Sequence, residues 1–234
     1  MLSGERKGRR YSLRIGLTSL WLVVCAPLTA AEFWETKPFL QWSDKEVQKL
    51  MEDSPWTGLV SVPLPPSTPV PSIDAGPGGR GGGGGDDKGF GPAPLRIRVT
   101  VSWRSALPLR QAAVRSQVGQ GGTVSPQSLE SLARDDEFYV VGFQGLPQRS
   151  MRPGPGGALT VESFLRRSGK PPIPAAQATT QQQNGGPLLL IAFPRTDPIT
   201  LDDGDVEVAF KLEQIEVKKK FKLKDMVFGG KLAL

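Results

Sequence analysis

The chain has 234 residues, 22% charged and 38% hydrophobic, with 28 Gly, 22 Pro, one Cys and no His. Without histidine it has no Ser-His-Asp or Cys-His triad, no histidine general base and no ordinary zinc site. The net charge of +6 is concentrated at one end: Arg6, Lys7, Arg9, Arg10 and Arg14 stand against Glu5 in residues 1–31, and the rest carries only a small excess, too dilute for a phosphate-neutralising face, so no nucleic-acid partner is expected.

The first 31 residues have the three parts of a secretory signal: the basic "RKGRRYSLR", an apolar run from Ile15 to Val24, and "CAPLTAAEF". Cleavage after Ala31 puts Thr29 and Ala31 at the small-residue positions. A membrane anchor is the competing reading. The run to Ala31, interrupted by Gly16, Thr18, Ser19 and Pro27, lies at the lower limit for spanning about 30 Å of hydrocarbon. Arg9-Arg10 resembles a twin-arginine signal, although Ser12 stands where a large apolar residue is preferred. Cys25 resembles a lipoprotein cysteine, although Val24 replaces the small residue required there. An exported, periplasmic, envelope or secreted protein is expected, with no transmembrane segment once the signal is removed. Its mature form then has no cysteine and no thiol chemistry.

Residues 32–64 form an N-terminal aromatic segment. Ser43 and Glu46 make a capping box, and Val47, Leu50 and Met51 share one face of a helix that runs to about Asp53. Phe33, Trp34, Phe39, Trp42 and Trp56 crowd around it, and so short a helix needs docking to be stable. Trp34, Trp42 and Trp56 are the candidate interaction residues. "LVSVPL" reads as a strand.

Residues 65–94 form a connector, stiff in "PPSTPVPS" and flexible in "GPGGRGGGGGDDKGFG". Gly76, Gly78 and Gly81 satisfy G-x-G-x-x-G without the strand before or helix after it that a dinucleotide site needs. Residues 95–234 then read as an α+β domain. In "LRIRVTVSW", Leu95, Ile97, Val99, Val101 and Trp103 alternate with a wet face on which Arg96 and Arg98, joined by Arg104, stand as solvated charges or anion ligands. Helices are expected from Ser105 to Gln117 and, capped by Ser125, from Pro126 to Arg134. "EFYVVGF" is a buried strand. After a loose stretch at 146–157, a short helix is expected from Thr160, followed by a second loose stretch at 168–187.

The C-terminal block reads as strand: "PLLLIAF" is central, and Val206, Val208, Phe210 and Leu212 point inward. Ile215, Val217, Phe221 and Leu223 repeat that pattern, with Lys219 at an inward position that predicts a bulge or an exposed edge. Gly229-Gly230 predicts a hairpin. The fold class is therefore α+β: an antiparallel meander with a few short helices and Gly/Pro-rich connectors expected to be disordered.

Three stretches, "FWETKPFLQWSDKEVQKLMEDSPW", "FPRTDPITL" and "KFKLKDMVFGGKLAL", resemble a family of exported proteins of soil bacteria, acidobacterial in type, some of whose relatives are labelled GWxTD-domain proteins. No Gly-Trp-x-Thr-Asp occurs here. The resemblance implies export and a shared fold, and it implies no activity, cofactor or catalytic residue.

The remaining chemistry belongs to carboxylates. Asp202, Asp203, Asp205 and Glu207 lie together, as do Asp86 and Asp87, but the EF-hand order is absent, and a turn with solvated acids is the expected role. Neither Gly169-Lys170-Pro171 nor Gly230-Lys231-Leu232 continues as a P-loop. Lys218, Lys219, Lys220, Lys222 and Lys224 face either an anionic surface or, as edge guards, solvent. The residues thus name no catalytic group, cofactor site or metal site. The reading is a non-enzymatic domain that binds another protein or an envelope component, with Trp34, Trp42 and Trp56 as its anchors. One alternative is carbohydrate or cell-wall binding through exposed tryptophans; another is a carboxylate-based hydrolase.

Overall fold

Alternation of apolar side chains from Val206 to Leu212 and from Ile215 to Phe221 produces the longest hairpin among the described residues. In the computed structural model, which describes residues 32–64, 95–134, 136–151, 161–183 and 185–234, these strands are β8 (Asp205–Leu212) and β9 (Ile215–Lys222), paired in unbroken register from Asp205↔Lys222 to Leu212↔Ile215. The expected signal and the 65–94 connector lie outside the described residues. So do residues 152–160, within the first loose stretch and the start of the expected helix.

Before that hairpin the described chain runs α1 (Phe33–Thr36), α2 (Asp44–Glu52), β1 (Thr57–Pro63), β2 (Arg96–Trp103), α3 (Leu107–Val118), α4 (Pro126–Ala133) and β3 (Phe138–Gln144). It continues with β4 (Glu162–Arg167), β5 (Ile173–Pro174), β6 (Gln177–Gln183) and β7 (Gly186–Pro194), and after β9 ends in β10 (Val227–Phe228) and β11 (Lys231–Leu232). A five-stranded sheet has the order β1-β2-β3-β7-β6 and a four-stranded sheet the order β5-β4-β8-β9. Among the described residues every strand pairing in them is antiparallel, so the α+β class is seen.

The two sheets share one core. Phe143 of β3 stacks on Phe210 of β8 at 4.6 Å between ring centroids, and Trp103 of β2 meets Phe221 of β9 edge-on at 6.0 Å. One flank of the pair is closed by backbone. β5 pairs with β4, and two residues later the same segment joins the other sheet as β6, where Ala176 N donates to Ala192 O at 2.8 Å. The opposite flank is closed by a side chain. Lys219 lies across β1 at Gly58, where a Cβ would collide with the lysine's Cε, and its Nζ sits 5.7 Å from the Phe221 ring. The inward lysine therefore marks an edge strand without a bulge, its aliphatic stem filling the seam.

Several boundaries agree with sequence expectation. Ser43 and Glu46 form both halves of the capping box of α2. Ser125 Oγ accepts from Ser128 N at the start of α4, behind Pro126. Gly229 and Gly230, both at positive φ, turn the β10–β11 hairpin.

Two expectations are corrected. The helix expected from Thr160 is, over its described part, strand β4. Its inward residues are Ser163, Leu165 and Arg167, and the two polar ones disguise the alternation of a strand. The stretch 168–187 is not wholly loose, because it contains β5, β6 and the start of β7. β6 reads QATTQQQ and is almost entirely exposed; it is held by pairing with β7 from Gln177↔Ala192 to Gln183↔Gly186 rather than by burial, so no apolar pattern announces it. The segment 32–64 joins the same sheets: β1 pairs with β2 from Thr57↔Ser102 to Pro63↔Arg96, and Glu32–Leu234 cluster as one unit.

Candidate functional site

The three candidate tryptophans are interior. Trp42 and Trp56 are fully buried and Trp34 is 6% exposed. Their rings pack edge to face with one another and with the neighbouring phenylalanines: Trp34 on Trp56 at 5.7 Å, Trp42 on Phe33 at 5.7 Å and on Phe39 at 6.4 Å. Trp42 Nε1 donates to Lys37 O, and Trp56 Nε1 donates to Ala233 O at 2.7 Å. With Trp103 also buried, none of these four indoles offers a face to a sugar or a partner. This corrects their assignment as interaction anchors and removes the stacking route to carbohydrate. The physical reason is that a nine-residue helix cannot hold itself, and the aromatic collar is what fastens it to the sheets.

The acidic turn is also accounted for internally. Asp203 is buried, with Lys170 Nζ at 2.7 Å and Arg167 Nη1 at 3.8 Å, while Thr200 N donates to its carboxylate. Burial pushes the Asp203 pKa up, but the Lys170 and Thr200 hydrogen bonds outweigh it and hold the group below the ordinary range. Arg167, whose side chain is fully buried, binds Asp197 on its other side, and its hydrogen bond holds the Asp197 carboxyl low. Lys37 does the same for Glu46, down to about 2, and Lys218 for Glu216. All four carboxyls move away from the raised pKa that a general acid needs at neutral pH. Among the described residues, no group of three or more candidate metal-binding side chains gathers.

Arg96 and Arg104 have separate surroundings. Arg96 donates to Ser61 Oγ and Ser61 O across the β1–β2 pair, both at 2.9 Å. Arg104 is half-buried, its stem crossing β3 at Gly142 and Nη1 lying 4.0 Å from Met51 Sδ, and burial pushes its pKa down. On β9, Lys218, Lys220 and Lys222 point to solvent while Lys219 turns inward.

A cleft of about 290 Å³ opens where α3, α4, β3 and the C-terminal hairpin converge. Among the described residues, Arg110, Arg134, Arg195 and Lys231 line it against one acidic side chain, Asp136. Arg110 is fixed in place: it pairs with Asp136 at 3.0 Å and donates to the carbonyls of Ser131 and Arg134. Arg195 follows the end of β7. Its guanidinium lies 4.4 Å over the Tyr139 ring and Nη2 donates to Leu234 O at 2.5 Å. Its Nε is buried without a hydrogen-bond partner among the described residues. Tyr139 Oη accepts from Ile199 N at 2.9 Å and Ser105 Oγ accepts from Val140 N at 3.0 Å, which leaves both hydroxyl protons to donate. Leu107, Leu132, Ile199 and Phe228 provide apolar walls.

Sequence reasoning did not single out these cleft residues. Its only available signal was an arginine placed straight after a buried strand, in "AFPRTDP". No family model, no curated protein and no solved structure matches the chain.

Proposed function

We propose that this is an exported, non-enzymatic domain that works by binding another macromolecule, and that it does so by adding a partner's extended strand to β6. The observation that carries the reading is the edge of the five-stranded sheet. β6 is seven residues long, lies at the end of the strand order, and among the described residues no strand pairs with its outer side. Edge strands are ordinarily guarded by lysine, proline or inward charge. β6 contains none of these, whereas the edge strand β9 carries Lys218, Lys219, Lys220 and Lys222. An open strand edge offers main-chain hydrogen bonds for affinity and alternate side chains for selectivity. Thr179, Thr180 and the glutamines beside them, all exposed, supply polar contacts rather than apolar anchors.

Export is supported by the N-terminal pattern and by the family resemblance. Cleavage after Ala31 would leave Glu32–Leu234, the residues that cluster as one unit. Mass spectrometry of the exported protein is expected to find Glu32 as the first residue.

Binding is tested by placing guards on the edge. A Thr179→Lys/Gln181→Lys variant is expected to fold normally and to lose a partner captured from envelope extract, whereas Gln214→Lys, a charge added in the β8–β9 turn, is expected to keep it. A wild-type protein that remains monomeric and captures nothing overturns the proposal. Capture unaffected by the two lysines overturns the β6 route.

A further inference from the structure

The cleft beside Tyr139 is a second feature, separate from the β6 edge, and nothing in strand pairing uses it. Its lining is one-sided in chemistry. Among the described residues of the lining, four cations meet one acidic side chain, Asp136, already engaged by Arg110, and the Leu234 oxygen engaged by Arg195. The groups with unspent hydrogen-bonding capacity are donors: Tyr139 and Ser105 through their hydroxyl protons, Arg195 through its buried and unpartnered Nε, and Lys231, for which no salt bridge occurs among the described residues. A buried donor without an acceptor keeps its desolvation cost uncompensated, and natural structures rarely retain one without a reason. Arg134 lines the cleft, is largely exposed, and is paired with Glu130 only at 3.8 Å within its own helix turn.

We infer that this cleft binds a small organic oxyanion, a carboxylate or phosphate head carrying a short apolar body. The head is received by Arg134, Lys231 and the Tyr139 hydroxyl, with guanidinium geometry suited to either kind of head. The body lies against Leu107, Leu132 and Phe228. Arg195 forms the wall behind Tyr139, held rigid by its stacking and by Leu234 O, so the positive charge is in position before any ligand arrives. A volume of about 290 Å³ sits at the small end of ligand sites, which restricts the ligand to a few heavy atoms beyond its charged head.

The test is calorimetric titration of the processed protein with inorganic phosphate, benzoate, phenyl phosphate and, as a neutral control, benzyl alcohol. Benzoate or phenyl phosphate is expected to bind at least about tenfold more tightly than inorganic phosphate, the gain from a buried ring, and benzyl alcohol is expected not to bind. The better of the two aromatic anions identifies the head group. Arg134→Gln and Lys231→Gln, both at exposed positions, are each expected to weaken binding about tenfold without changing Tm, as the loss of one charge-assisted hydrogen bond would. Tyr139→Phe provides a third variant that retains the stack on Arg195. The inference is overturned if no anion binds at about 10 mM, roughly tenfold above a millimolar Kd, or if binding is indifferent to Arg134 and Lys231. The Thr179→Lys/Gln181→Lys variant is expected to bind the anion normally, so failure of the strand-pairing proposal leaves this result readable.

Discussion

Arg115 shows how a charged residue can serve the interior without being a site. It is 1% exposed, yet its partner Asp44 is 95% exposed. The guanidinium therefore sits at a boundary: Nη2 reaches Asp44 at the surface while Nε donates inward to Trp42 O at 2.6 Å. The two halves of this arrangement have unequal weight. An ion pair with one partner in water contributes little, whereas a buried carbonyl that loses its donor, together with the packing of a long aliphatic stem, costs more. Arg115→Ala is expected to lower unfolding stability by about 2–3 kcal/mol, and Asp44→Ala by less than about 1 kcal/mol; urea denaturation of the two variants side by side measures the difference. The same reasoning explains why Arg167 and Arg195 escaped notice as sequence features. An arginine reads as a surface residue, and only the fold reveals whether its charge meets water, a carboxylate or an aromatic ring.

Elements were legible in proportion to how fully burial alone specifies them. β8 is plain because Val206, Val208, Phe210 and Leu212 all face the core, and α2 because its capping box marks its first turn. β4 was hidden because two of its three buried side chains, Ser163 and Arg167, are polar. β6 was hidden because its stability comes from main-chain pairing with β7, which leaves no mark on side-chain polarity. The tryptophan collar was legible as a docking device for a short helix; that docking consumed the rings could be decided only by their burial. Turns carry their own signal. Gly145, at φ +92°, ends β3 where a Cβ would strike the backbone carbonyl of Arg98. Because that neighbour is backbone within a paired strand, it cannot move aside cheaply, and the left-handed φ adds strain. Gly145→Ala is expected to destabilise the protein by more than about 1 kcal/mol, read as a fall in the urea midpoint with an unchanged slope.

At the scale of the whole molecule, the two layers are bound differently along their two long margins. On one side residues 173–183 run from one layer into the other, so the margin is covalent. On the other, Lys219 rests on Gly58. Native-state hydrogen exchange is expected to report this asymmetry as a lower opening free energy for β1 and β9 than for β4 and β7. Lys219→Ser is expected to lower it further on the β1/β9 side alone, and an equal loss of protection on both sides would contradict the picture. The arrangement is that of a book with a spine and a clasp. Under denaturant, pressure or an incoming protease, the pages part at the lysine clasp, and the phenylalanines between them are wetted from that side first, while the spine still holds the covers in register and lets them close again correctly.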